Sequence, residues 1–139
     1  MKPKFRAWDT KLNKWYEPIH EAYKGNLFEL LIGMSGDLSA HTMKGVEHES
    51  LWPDRFKLVQ FTGLHDRNGK EIYEGDIVKW NHACNSEDNG IDEVIFRDGL
   101  FGFKIEKGGY SLEAFTREFD NIYIEIIGSI YEHPELLNT

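Results

Sequence analysis

Six histidines (His20, His41, His48, His65, His82 and His133), one cysteine and 24 acidic residues are the groups in this 139-residue chain that could bind a metal or move a proton. His82 and Cys84 would share one side of a strand, with Glu87, Asp88 and Asp92 following. A structural zinc site needs four nitrogen or sulfur ligands, usually in tight pairs, and His-x-Cys supplies only half a set. The expected reading is a polar loop carrying an incidental thiol. His41 and His48 with Glu47 and Glu49 have the composition of a carboxylate-histidine cluster but lack the helical His-Glu-x-x-His spacing. No nucleophile elbow supports a Ser or Cys nucleophile, and Gly63 to Lys70 has neither the spacing nor the following helix of a phosphate-binding loop. Catalytic carboxylates are identified by burial and separation, which a sequence does not display. No catalytic residue, cofactor or metal is therefore expected, and the chain reads as a non-enzyme.

The aromatic residues allow a different chemistry. Trp8, Trp15, Trp52 and Trp80 stand with nine Phe and six Tyr. Such rings can line a groove for a peptide or stack on bases, but they also fill the core of a small β domain at large buried area per residue. Core filling is the expected role of any single tryptophan. Trp8, Trp15 and Trp52 are the candidates for an aromatic surface.

Charge narrows the partners. The chain carries 16 basic and 24 acidic residues, net -8, with a pI near 5.2, against a general affinity for nucleic acid or anionic membrane. The excess is uneven: residues 1–60 hold nine Lys and Arg against eight Asp and Glu, and residues 61–139 hold seven against sixteen. A nucleic-acid-associated accessory role would need Lys2, Lys4, Arg6, Lys11 and Lys14 to gather into one basic patch. A single cysteine excludes an intrachain disulfide, and without a signal peptide or long apolar run the expected location is the cytoplasm, with no membrane contact.

These residues need elements to position them, and most of the elements read as β. Phe5 to Trp8 and Trp15-Tyr16 flank a turn and predict a hairpin that presents aromatics. Leu27 to Ile32 suits a strand or a short helix equally. Gly33 to Ser50 reads as a long polar loop, mobile or binding, and Lys57 to Thr62 as a strand. Turns are expected at Asp66-Arg67-Asn68-Gly69 and at Glu74-Gly75-Asp76, followed by the strand Ile77 to Trp80. After a polar stretch from Asn81 to Asp92, Val94 to Phe96 and Leu100 to Ile105 flank Asp98-Gly99, a strong hairpin signal. A turn at Lys107 to Gly109 and a short helical turn from Glu113 to Phe119 lead to the strand Ile122 to Ile127. Gly128 suggests a bulge into one more strand, Ser129 to Tyr131, and Pro134 ends the pairing. The chain is thus expected to be mainly β and a single domain over 1–139. An irregular β-rich part, about 1–60, would pack against a part, 61–139, holding a small SH3-like barrel from about Glu71 to Tyr131.

Three segments carry a resemblance. Phe5-Arg6-Ala7-Trp8-Asp9, then Gln60-Phe61-Thr62-Gly63-Leu64 with Asp66 to Val78, and Ile126-Ile127-Gly128-Ser129-Ile130-Tyr131-Glu132 closely resemble the YopX family of small proteins encoded by phages and prophages of Bacillus and its relatives. The resemblance spans nearly the whole chain, is most specific in the middle segment, and is weakest over 16–55 and 81–93. It implies a predominantly β fold, a phage or prophage origin and a cytoplasmic life in the host, but no enzyme activity and no catalytic residues. Physically the middle segment reads as folding information, with glycines for turns and Asp76 as an acceptor. The alternative is that its charged turn, with Asp66, Arg67, Lys70, Glu74 and Asp76, docks a partner. The function expected is a non-catalytic module that binds an unknown protein or assembles with itself as a homo-oligomer.

Overall fold

A computed structural model describes residues 2–82, 85–97, 99–105, 109–111 and 122–138. The chain divides into two compact units, one of Arg6–Leu58 and one of Met1–Phe5 with Val59–Thr139.

The 6–58 unit begins with a hairpin of β1 (Phe5–Asp9) and β2 (Lys14–Trp15), which sets Trp8 opposite Trp15 as expected. A second, four-stranded antiparallel sheet follows in simple order: β3 (Ile19–Glu21), β4 (Asn26–Ile32), β5 (Leu38–Thr42) and β6 (Gly45–His48). The ambiguous Leu27 to Ile32 run is therefore a strand. The long polar loop expected over Gly33 to Ser50 is instead largely the β5–β6 hairpin, whose ladder pairs Thr42 with Gly45 and Ser39 with His48. Period two decides its packing: on one face Phe28, Leu30 and Leu38 meet Ala7, Phe56, Tyr16, Trp52 and Leu58 in an aromatic core, and Ala40, opposite Leu30, is buried as well. Phe56 is its hub, edge-on to Trp52 at 5.3 Å and to Tyr16 at 6.2 Å. The Tyr16 hydroxyl accepts the Leu30 N–H at 2.9 Å, and burial pushes the phenol up from its ordinary pKa.

In the 59–139 unit, the end of β7 (Phe56–His65) pairs with β8 (Glu71–Tyr73). Five strands form an antiparallel sheet in the order β12-β11-β10-β9-β13: β9 (Asp76–His82), β10 (Asn85–Arg97), β11 (Leu100–Ile105), β12 (Gly109–Ser111) and β13 (Ile122–Ser129). The hairpin expected around Asp98-Gly99 is present, with Arg97 paired to Leu100. The polar stretch from Asn81 to Asp92 is not a loop. From Asn85 it is strand β10, and Asn89 to Glu93 pair with β9. Its polar residues hid a ladder fixed partly by Asp92, whose Oδ2 accepts the Trp80 Nε1–H at 2.7 Å. Trp80 lies flat against Phe103, with centroids 5.6 Å apart, and Phe103 joins Ile72, Val78, Val94 and Ile124 in the buried core. The bulge expected at Gly128 is there, and a Cβ on it would come within 2.9 Å of Leu136 Cδ1. Ser129 ends β13, so the further strand expected to Tyr131 is a turn, followed by a 3-10 segment, Pro134–Asn138. The Glu113 to Phe119 turn and most of Lys107 to Gly109 lie outside the described residues.

Asp66 governs the local chain path. Its side chain is 7% exposed. Oδ1 accepts the N–H of Asn68 and of Lys70, each at 2.9 Å, and Oδ2 accepts the N–H of Ile126 in β13 at 3.1 Å. The neighbouring Arg67 N–H donates to Ile124 O at 2.8 Å, so the β7–β8 turn is stitched to β13 at two points. Asp66→Ala would leave three backbone donors without their acceptor and should lower stability by about 2–4 kcal/mol, since bonds to charged groups contribute about 1.5–3 kcal/mol each and do not add fully. Asp66→Asn keeps one acceptor oxygen and should lose less. Urea unfolding followed by circular dichroism measures both, and an Ala variant within about 0.5 kcal/mol of wild type would refute the assignment.

Candidate functional site

The sequence offers three groups of candidate residues, and the fold separates them. In the turn group, Asp66 and Asp76 are buried, and the Asp76 carboxylate accepts the Tyr73 N–H at 2.8 Å. Gly75, at φ 88°, donates its N–H to Val94 O and accepts from Ile130, so the Glu74-Gly75-Asp76 turn is also tied into the sheet. Glu74 is half-buried, and Arg67 and Lys70 are exposed.

In the aromatic group, Trp8 is 7% exposed and meets Trp15 edge-on at 5.1 Å. The Arg6 guanidinium covers Trp15 at 3.9 Å from its centroid. Among the basic residues, the Lys4 ammonium bonds Glu71 Oε2 at 2.5 Å and lies 5.4 Å from the Phe61 centroid. That hydrogen bond raises the Lys4 pKa and lowers that of Glu71. Trp52 differs: it is half-buried and lines a groove of about 370 Å³ with Leu38, His48, Glu49, Pro53 and Arg55.

Two consecutive turns build this groove. The Trp52 N–H donates to Glu49 O and the Arg55 N–H to Trp52 O, with Asp54 held at φ 59°, a left-handed conformation that Asp tolerates better than most residues. Arg55 is anchored from behind. Its Nε and Nη2 bond Asp9 Oδ1 and Oδ2 at 3.1 and 2.9 Å, and its guanidinium lies over Phe56 and Phe28. Asp9 also accepts the N–H groups of Lys11 and Leu12. Burial works against its charge, but Arg55 and these donors outweigh burial and hold the carboxyl below the ordinary range.

The histidines fall in several places. Register puts Glu29 opposite His41, and His20 Nε2 is 3.8 Å from Glu29 Oε1 on the same sheet face. His65 packs edge-on to Phe61, and His133 bonds Glu135. Cys84 lies outside the described residues. His48, on the groove, joins Asp37 and Glu49, each offering one ligand atom within 4.8 Å of the others. The sequence did not expose this set, because Asp37 and His48 meet only through the β5–β6 hairpin; Gly45 after Met43-Lys44, between two short runs, was the available turn signal. Ser50 N–H donates to His48 Nδ1 at 3.1 Å, so the neutral ring carries its proton on Nε2, which lies 3.5 Å from Asp37 Oδ2. Glu49 Oε2 accepts the Leu38 N–H at 2.9 Å.

The motif segments that hold these turns match a known family. A family model described as YopX protein fits residues 4–138. The chain belongs to the YopX family. It is 37% identical over 71 residues to the SPbeta prophage-derived uncharacterized protein YopX of Bacillus subtilis (strain 168), a match covering 50% of this chain and 52% of that protein. The chain thus spans about half the length of the curated relative it matches. It is similar throughout to two crystal structures: yopX from Bacillus subtilis, with 26% identity, TM-score 0.60 and 96% of each chain covered, and EF1440 from Enterococcus faecalis, with 27%, 0.57 and 99%. These likenesses support the mainly β fold of the YopX family. Among the described residues, no helix is long and apolar enough to cross a membrane.

Because the folded-state pKa of Asp9 is depressed, its contribution is present above the unfolded value of about 3.9 and is lost as pH falls through the folded one. Stability followed by tryptophan fluorescence should therefore drop below about pH 4. Asp9→Asn should cost about 2 kcal/mol at pH 7, within the range for hydrogen bonds to charged groups, and should flatten that acid limb. An unchanged acid limb would remove Asp9 as its source.

Proposed function

We propose that this chain is a phage- or prophage-encoded, non-catalytic module that acts in the host cytoplasm by binding another protein through the groove at Trp52. The observation that carries the reading is the contrast between Trp52 and the other polar and aromatic candidates. Asp9, Asp66 and Asp76 spend their carboxylates on backbone N–H groups, with Arg55 added at Asp9. Trp8 is buried, whereas Trp52 gives a concave site a half-exposed ring, the residue type most enriched where binding energy concentrates. The prophage origin is supported by the name of the Bacillus subtilis relative.

Self-association belongs to the same reading, since β3 and β6 are the end strands of their sheet. The basic-patch alternative finds less support, because the Lys4 and Arg6 charges are already engaged by Glu71 and Trp15.

Affinity capture from prophage-induced host cells, with the full chain and its Trp52→Ala variant compared side by side, tests the proposal. A protein retained by wild type and lost at least tenfold with the variant is expected. Identical captured sets from the two would overturn it, as would nucleic acid alone. Light scattering that shows a strict monomer at high concentration would remove the self-association.

A further inference from the structure

The chemistry of the groove specifies its occupant more narrowly than its shape does, and a more specific occupant rests on the reading of Trp52 as a docking site. Glu49 and Asp54 line the groove, and Asp37 stands beside it through His48. The only arginine in the lining is Arg55, and its charge is matched by the two-point bond to the buried Asp9 carboxylate. Lys57 approaches Asp54 at 4.0 Å, but the Asp54 side chain is 93% exposed, so solvent screens that pair and a ligand cation can replace it. Glu49 Oε2 accepts the neutral Leu38 N–H. The groove thus combines two carboxylates, one histidine and an indole, with its own guanidinium paired to Asp9.

A half-buried indole beside two carboxylates attracts a cation with an aliphatic stem. The ring favours positive charge over its face, the stem covers apolar surface, and the head reaches the acids. A phosphate-bearing ligand would meet two carboxylates there. About 370 Å³ sits at the small end of ligand clefts, which run from about 300 to 1,000 Å³, and so fits one long side chain with its backbone. Asp54, at positive φ in the turn, sets its exposed carboxylate on the lining of the groove, accessible to such a head group.

We propose that the groove between Glu49 and Phe56 is an anchor site for a basic segment of a partner protein, taking a lysine or arginine side chain against Trp52 with its charged end at Glu49 and Asp54.

Fluorescence anisotropy with the full chain and three fluorescein-labelled probes of equal length tests this: hexa-arginine, hexa-lysine and hexa-proline, each with Gly-Ser ends. Both basic probes should bind, weakening at least tenfold between 50 and 300 mM salt. Glu49→Gln with Asp54→Asn should weaken them at least tenfold; Gln can still accept the Leu38 N–H, and an unchanged urea midpoint would exclude unfolding as the cause. Trp52→Leu should act similarly. Glu87→Gln with Glu135→Gln removes equal charge outside the groove and should change binding less than twofold. Equal weakening by that control would overturn the proposal by showing unspecific attraction to an acidic protein. So would tighter binding of hexa-proline than of the basic probes, or a requirement for Zn²⁺ or Mn²⁺ traced to Asp37 and His48. If a protein captured through Trp52 is not displaced by the basic probes, the docking surface stands and the basic occupant fails; if Trp52→Ala captures the same proteins as wild type, the docking surface itself fails.

Discussion

A carboxylate placed where strands must stop pairing with each other is the constraint on which this structure depends. Backbone N–H groups at a turn lose their ladder partners, and leaving them buried without an acceptor costs about 1–3 kcal/mol apiece. Asp66 resolves this for the β7–β8 turn by accepting two local donors and a third from β13, sixty residues away in sequence. One side chain therefore sets a local bend and a distant register together. The core of Ile72, Val78, Val94, Phe103 and Ile124 supplies the bulk of the apolar burial, but apolar contacts are non-directional and tolerate slippage. Directionality comes from the buried acid.

The same solution recurs in the 6–58 unit with one difference. Asp9 accepts two N–H groups of its own turn, but its long-range partner is the Arg55 side chain and not a backbone group. A charge of either sign taken out of water needs partners, and Asp9 and Arg55 supply each other's. Arg55 is consequently held by Asp9, Phe28 and Phe56 at once, and its own N–H closes the turn on Trp52 O. The structural ion pair thus creates the conditions for the groove: it fixes one wall and pairs the arginine that lines it.

Features of this fold are legible in the sequence where their signals are local. The Asp98-Gly99 hairpin, the Gly128 bulge and the turns at Gly69 and Gly75 are written in residues whose backbone preferences are strong, and all occur. The hairpin of β5 and β6 was not legible, because His41, Thr42 and Glu47 interrupt the apolar alternation that marks a half-buried sheet. Strand β10 was hidden for a similar reason: Asn85 to Asp92 is polar, and its strand state comes from pairing with β9. The docking roles considered for Asp66 and Asp76 follow from reading charge as exposure, and only burial shows those carboxylates turned inward. The Asp37, His48 and Glu49 set shows the converse, three residues brought together by a hairpin that sequence spacing did not reveal.

The segments most specific to the YopX resemblance and the groove do not coincide, and the physics accounts for it. Asp9, Asp66, Gly75, Asp76 and Gly128 each answer to a geometric demand that few other residues meet, so the pattern they form describes a scaffold. Most of the groove is Glu49 to Phe56, largely within 16–55 where the resemblance is weakest, and its lining residues apart from Leu38 and Phe56 are at least partly exposed, with Trp52 also packing on the aromatic core. Exposed side chains on short turns can change with little cost to stability, usually within about 0.5 kcal/mol. A fold fixed by buried aspartates can therefore carry differently charged grooves without altering its sheets. In this chain that freedom has placed two acids and an indole around a neutralised arginine.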